Sequence, residues 1–235
     1  MSDDRSPAPR APSDDAAAPA TGLDYGRLYE FRFRDVEQAS RQTVWDEIGP
    51  FVWRRMGSPD RVLDPAGGRG EFLNSIPAGE RWLVDMVDYP HRDTVLEVKV
   101  VIGDVFSLDL PPAYFDGIFV SNLLEHLPDP DAVAAFLSRM RATLAPGGVL
   151  AIMGPNFKYC ARDYFDCADH TLALTHVSVQ EHLIAAGFDV REAIPRFLPF
   201  SFRSRLPASP RLTRAYLQMP ILWRVLGSQF LLLAH

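Results

Sequence analysis

Cysteine and lysine are nearly missing from this 235-residue chain, and each shortage excludes something. Cys160 and Cys167 are the only thiols, which rules out a disulfide-stapled secreted scaffold. With His170 and His176 they form a C-x6-C-x2-H-x5-H string that fits no usual zinc spacing, so no metal is expected from it. Lys99 and Lys158 are the only lysines, and arginine carries almost all of the positive charge. No apolar run approaches the roughly 20 residues that span a bilayer. No basic-then-apolar leader opens the chain, and the expected location is the cytoplasm. Two nucleotide signatures fail as well. Counting from Gly68, a dinucleotide fingerprint needs glycine where Leu73 stands, and no Gly-Lys-Ser/Thr follows to make a phosphate loop.

The hydrophobic content of 47% suffices for one sizeable core. Residues 1–22, rich in Ala, Pro, Ser and Asp, have little to bury and are predicted to be a disordered tail. Residues 23–235 are predicted to be a single domain. It opens with lead-in helices over "VEQASRQTVWDEIGPFVWRRM", interrupted near Pro50. Short β-rich runs then alternate with helical stretches: "RVLDP", "RWLVDMV", "VKVVIGD", "FDGIFVS", "GGVLAIMG", "FDVREAI" and finally "SQFLLLAH". Several are nearly continuous apolar runs, as strands covered by helices on both faces must be. The predicted class is α/β: a Rossmann-like, doubly wound, mostly parallel seven-stranded sheet. Its C-terminal strand is placed antiparallel at or near an edge, after an Arg- and aromatic-rich insertion at about 195–227.

The stretch "VLDPAGGRGEFL", Val62 to Leu73, sets three glycines just after a strand-end Asp64. In a doubly wound sheet, ligands bind outside the carboxyl ends of the strands, beside such a loop. The following strand ends agree. Asp85 in "VDMVD" can accept hydrogen bonds from both hydroxyls of a ribose, with Asp88 as a competing candidate. Asp104 in "GDVF" can accept from an adenine amine while the Val105 N–H donates to a ring nitrogen. These ends in order describe a seat for adenosine without a phosphate.

On these residues the chain resembles the class I S-adenosylmethionine-dependent methyltransferases over about 60–195. The family's first motif, Asp-x-Gly-x-Gly-x-Gly, reads here Asp64, Pro65, Ala66, Gly67, Gly68, Arg69, Gly70, with alanine replacing the first glycine. Alanine serves only if its φ stays negative. "GDVF", "FDGIFVSNLLEHL" and "LAPGGVLAI" fall in the family's order. The resemblance implies S-adenosylmethionine as cofactor. Asp64 and the backbone of Ala66, Gly67, Gly68 and Gly70 would surround its methionine moiety, with Asp85 on the ribose and Asp104 and Val105 on the adenine. Ser121 and Asn122 would lie beside the sulfonium.

Methyl transfer needs a base only where the acceptor must lose a proton. Candidates are His126, with Glu125 beside it, and His170, with Asp169 next to it in a polar and aromatic loop. That loop also carries the expected acceptor-binding residues Asn156, Tyr159, Tyr164 and His176. Its "DH" and the later "FLP…YL…P…W…G…QFL" resemble a bacterial methyltransferase subgroup associated with polysaccharide and glycolipid assembly. The resemblance implies a hydroxyl of a sugar, glycolipid or related small molecule as acceptor. Transfer to nitrogen or carbon, or a non-catalytic adaptor on the same fold, are the alternatives.

Net charge is -6, yet residues 191–225 hold seven arginines against Glu192 alone. Arginines interleaved with apolar residues over 196–224 could seat the chain peripherally on an anionic bilayer, at the inner membrane face. A lid packed on the domain is the other reading. The overall acidity, with no recognised nucleic-acid motif, argues against nucleic acid as a partner.

Overall fold

A computed structural model describes residues 23–34, 38–88, 93–200 and 209–235. The predicted tail at 1–22 and the insertion's 201–208, including Phe202 and Leu206, lie outside the described residues. Two compact units divide the chain, 1–35 and 36–235. The first unit contributes α1 (Tyr25–Phe33), capped by the Asp24 carboxylate, which accepts from the Arg27 N–H at 3.0 Å.

In the second unit α2 (Gln38–Arg55) leads into β1 (Arg61–Asp64), α3 (Glu71–Ser75), β2 (Glu80–Asp85), β3 (Val98–Ile102) and β4 (Phe115–Ser121). Then come α4 (Pro130–Thr143), β5 (Leu144–Pro155), α5 (Phe157–Cys160), α6 (His176–Ala185), β6 (Val190–Ile194), α7 (Pro210–Leu217), α8 (Pro220–Leu226) and β7 (Gln229–Ala234). All seven strands foreseen in the sequence form one sheet, ordered β3-β2-β1-β4-β5-β7-β6. β7 runs antiparallel between β5 and β6, one place in from the edge, and the first five strands are parallel.

Alternation along each buried strand builds two cores, one on either face. Leu63, Ile118, Val120, Leu150 and Ile152 meet Phe136, Leu137 and Met140 of α4 and Val179 and Leu183 of α6. Val62, Leu83, Phe119, Ala151 and Met153 meet Val52 of α2, Phe72 and Leu73 of α3, and Leu217 and Trp223. Covering both faces leaves the strand ends as the place where a ligand can enter, and the parallel order sets the carboxyl ends of β1 to β5 along one rim.

One expectation changes. α2 continues through Pro50 instead of breaking there. One ladder hydrogen bond is lost to the proline, but Ile48 and Val52 on either side are buried, and that packing holds the helix together. The described residues of the Arg-rich insertion pack against α2. Phe51 of α2 stacks on Phe197 at 5.7 Å, Trp223 stands edge-on to both, and the Tyr216 hydroxyl donates to the Phe197 carbonyl at 2.6 Å. Arg214 pairs with Glu47 at 2.5 Å, and Arg196 donates to the carbonyls of Gly227 and Val225.

Candidate active site

The loop between β1 and α3 is the barest part of the rim. Gly68 and Gly70 adopt φ of +54° and +79°, a region glycine enters without the Cβ penalty. A Cβ on Gly68 would meet nothing within 4 Å, so the loop offers open space there for a ligand to approach the backbone, whereas one on Gly67 would strike the Leu83 side chain at 2.5 Å. Ala66 is absent from the described non-glycine residues with positive φ, which meets the condition for alanine at that position. Restoring glycine there is expected to change cofactor affinity by no more than about twofold in a calorimetric titration, since no strain is relieved.

Asp64 at the end of β1 is almost fully buried and accepts the Ala66 N–H at 3.3 Å. Burial, reinforced by the nearby Asp85 and Glu71 charges, pushes its pKa up to about 8 against one backbone hydrogen bond. Asp85 ends β2 with one oxygen on the Gly68 N–H at 2.8 Å and the other on the Val87 N–H at 2.9 Å. Burial raises its pKa too, although those N–H groups oppose the shift. Each of its oxygens keeps a further lone pair for a hydroxyl. Register pairs Asp85 with Ile102 of β3, and the Gly103 N–H donates to the Asp85 carbonyl at 2.9 Å, so Asp104 follows one residue later. The two acids therefore stand at the ends of adjacent strands on one rim. The Asp104 carboxylate takes the Phe106 N–H at 2.9 Å, which shapes the turn, and Val105 is buried behind it.

β4 adds Ser121 and Asn122 beside the glycine loop, since β1 pairs with β4. Asn122 holds φ at +50°, its N–H donates to the Met153 carbonyl, and its amide donates to the Ser121 hydroxyl at 2.8 Å. A side-chain residue in that conformation costs on the order of 1 kcal/mol, and such strain concentrates at functional sites.

Beyond them a 3₁₀ turn, Leu124–His126, brings Glu125 and His126 against the loop that follows β5. The amides of Thr171 and Leu172 both donate to the Glu125 carbonyl, which fastens that loop. His126 Nδ1 lies 3.0 Å from the Asp169 carbonyl oxygen and 3.4 Å from its carboxylate. Its ring meets that of His170 edge-on at 4.9 Å. Asp169 thus meets His126, 43 residues away in the sequence, because the loop after β5 folds against the turn after β4.

Two expected acceptor ligands change role. Tyr164 is fully buried, its hydroxyl donates to the Leu172 carbonyl at 2.6 Å and accepts from the Leu174 N–H, and burial raises its pKa. It is a prop for the loop. Tyr164→Phe is therefore expected to cost about 1–2 kcal/mol in a denaturant titration, by stranding the Leu172 carbonyl and the Leu174 N–H. Asn156 is fully buried and its amide donates to His176 Nδ1 at 2.9 Å and the Pro195 carbonyl at 2.8 Å, so it ties β5 to α6 and the end of β6. Tyr159 is exposed and stacks on His176 at 6.4 Å. Burial lowers the His176 pKa, keeping that imidazole neutral near pH 7.

One contact escaped the sequence reading. Arg41 of α2 pairs at 2.9 Å with the buried Glu71, the first residue of α3, and clamps the helix that leaves the glycine loop. The signal was a carboxylate directly after "GGRG", where a helix N-terminus favours negative charge.

Comparison with known proteins agrees with this geometry. The model of a methyltransferase domain family matches residues 38–192, well over half of the chain. A SAM-dependent methyltransferase from Archaeoglobus fulgidus is 23% identical, with 90% of this chain and 99% of that one covered at a TM-score of 0.62. One from Aquifex aeolicus is 16% identical, covering 90% and 98% at 0.58. The 4+2 cyclase SpnF is 18% identical, covering 80% and 79% at 0.55, so a cyclase too is built on this fold. No curated protein matches the sequence. The family match, with the acids and open glycine loop at one rim of a seven-stranded sheet, establishes that the chain belongs to the methyltransferase domain family, with S-adenosylmethionine as its methyl donor.

Proposed function

We propose that the protein methylates a hydroxyl oxygen of a sugar, glycolipid or related small molecule. The observation that carries this reading is the meeting of His126 and His170, rings 4.9 Å apart, with the buried carboxylates of Glu125 and Asp169. Such a cluster can hold an acceptor hydroxyl and ease the loss of its proton, help that a neutral amine, the stronger nucleophile, needs less.

S-adenosylmethionine, when bound, supplies a methyl group on a positively charged sulfur. The protein's part is to hold and to align. Asp85 accepts from the ribose hydroxyls, Asp104 and the Val105 N–H meet the adenine edge, and the loop from Ala66 to Gly70 lines the methionine portion, whose ammonium the Asp64 carboxylate attracts. Ser121 and the strained Asn122 separate this seat from the imidazole cluster. Tyr159, exposed at the mouth of the loop, offers an aromatic face of the kind sugars stack on.

A panel of free sugars, nucleotide sugars and glycolipids, incubated with the protein and methyl-labelled S-adenosylmethionine, tests the reading. Label in an ether-linked methyl group that depends on His126 or His170 supports it. Label appearing only on nitrogen or carbon acceptors refutes it. Saturable S-adenosylhomocysteine binding in a calorimeter separates an enzyme from an adaptor that has lost the cofactor.

The lipid-linked variant of the acceptor has its own support. Leu212, Ile221, Val225 and Leu226 of α7 and α8 are exposed beside the exposed Arg211 and Arg224, a mixture suited to the surface of an anionic bilayer. Flotation with phosphatidylglycerol vesicles is expected to carry the protein upward, and Ile221→Glu with Val225→Glu to abolish it. If the native protein stays at the bottom, α7 and α8 are only a lid.

A further inference from the structure

The cluster after β4 has more ligating power than acceptor binding alone calls for. Glu125, His126 and His170 each present one ligand atom, and the three lie within 4.8 Å of one another. His126 Nε2 is 4.0 Å from Glu125 Oε1. An ion bonded to nitrogen and oxygen at about 2.0–2.2 Å would draw such atoms to roughly 3–4 Å apart, a small contraction for side chains on a turn and a loop.

The surroundings have the second tier that metal sites carry. The Asp169 carbonyl and carboxylate both face His126 Nδ1, which fixes the proton on that nitrogen and turns the Nε2 lone pair toward Glu125. His170 is walled by aromatic rings, Tyr164 at 4.7 Å and Phe200 at 6.2 Å, which restrict its rotation and keep water sparse. Glu125 and Asp169 are both almost fully buried beside His126.

We infer that Glu125, His126 and His170 form a binding site for a divalent first-row transition-metal ion, with Asp169 as the positioning residue for His126. Two imidazoles and one carboxylate suit zinc, manganese or iron better than magnesium or calcium. The site shares His170 with the Cys–His string considered in the sequence, but neither cysteine supplies a ligand. The ion's service to catalysis, gripping the acceptor oxygen and making its hydroxyl more acidic, rests on the oxygen-acceptor reading above; the binding of the ion does not.

Cobalt(II) titration of the full chain, first dialysed against a chelator, tests the site. The expected result is saturable visible absorption with one ion per chain, displaced by zinc. Affinity should fall at least tenfold in His170→Gln and Glu125→Gln, and by less in Asp169→Asn. A Cys160→Ser, Cys167→Ser protein should keep the bands, which excludes thiol ligation. S-adenosylhomocysteine binding by each variant reports whether it is folded and whether the cofactor seat survives. A protein that binds S-adenosylhomocysteine but takes up no cobalt overturns the metal site and leaves the methyl-transfer reading intact. So does uptake that His170→Gln and Glu125→Gln, still binding S-adenosylhomocysteine, leave unchanged. Uptake that persists while no hydroxyl acceptor is methylated sinks the acceptor reading alone.

Discussion

Asp85→Ala is expected to weaken S-adenosylmethionine binding by more than 100-fold. Two losses add. The ribose hydroxyls lose a charged acceptor, where each hydrogen bond contributes about 1.5–3 kcal/mol. The Gly68 and Val87 N–H groups also lose the carboxylate that now arranges the loop around the cofactor. Asp85→Asn separates the two, because an amide oxygen can still accept one of those backbone bonds; it should fall between alanine and the native protein. Asp104→Ala should cost about tenfold, its carboxylate being more exposed and offering a single bond to adenine. The measurement is calorimetric titration at fixed ionic strength. Equal affinities for Asp85→Ala and the native protein would remove the nucleoside seat from this rim, and with it the assignment of the other strand-end acids.

Asp64→Asn is expected to do opposite things to stability and to binding. The folded protein holds the Asp64 proton up to about pH 8, whereas an unfolded chain releases it near the ordinary carboxylate value of 3.8. Between those values the folded state binds the extra proton, so stability falls as pH rises through the window and levels off above it. A shift of this size sets a ceiling of ~6 kcal/mol at 1.36 kcal/mol per pKa unit, and relaxation of the site will reduce it. The asparagine variant stays neutral throughout and keeps an acceptor for the Ala66 N–H. At pH 8.5 it should therefore melt about 5 °C or more above the native protein, a gap that shrinks to roughly a third at pH 5 and closes below the ordinary carboxylate value. Burial raises the Asp85 pKa as well, so some decline with pH persists in the variant. Binding moves the other way: without a carboxylate to face the cofactor's ammonium, affinity should fall at least tenfold. In the native protein the cationic ligand favours the ionised Asp64, so cofactor affinity should rise with pH toward 8. A melting temperature for Asp64→Asn that tracks the native curve at every pH would show that this carboxyl is not held neutral.

The two variants also test how the cofactor seat is built. Asp64 is buried and costly without a cation, while Asp85 earns its place partly by organising the glycine loop. Both acids end strands whose interior residues, Val62, Leu63, Leu83 and Val84, are wholly buried, so neither strand end can shift to escape a substitution.

Local chemistry was enough to find the sheet and the acids that close its strands. A strand covered on both faces must be apolar almost throughout, so "VLD", "WLVD" and "GIFVS" declare themselves, and the residue that ends the run is the one exposed at the rim. The bare loop after Asp64 was legible for the same reason, since positive φ at Gly68 and Gly70 restricts residue choice in the sequence itself. Long-range contacts leave no such mark. Pairing of His126 with Asp169, and its approach to His170, depends on β4 and β5 lying side by side with the loop after β5 folded back onto the turn after β4. The burial of Tyr164 and Asn156, both polar and both in a segment that reads as a binding loop, was decided by the same folding back. Docking of the Arg-rich insertion required Phe51, on a helix more than 140 residues earlier, to meet Phe197 and Trp223. Sequence alone determined the fold and the bare loop and acids at its rim because burial period and backbone conformation act over a few residues. Only the tertiary structure decided which acids and imidazoles share a site, because that depends on which strand ends become neighbours in space.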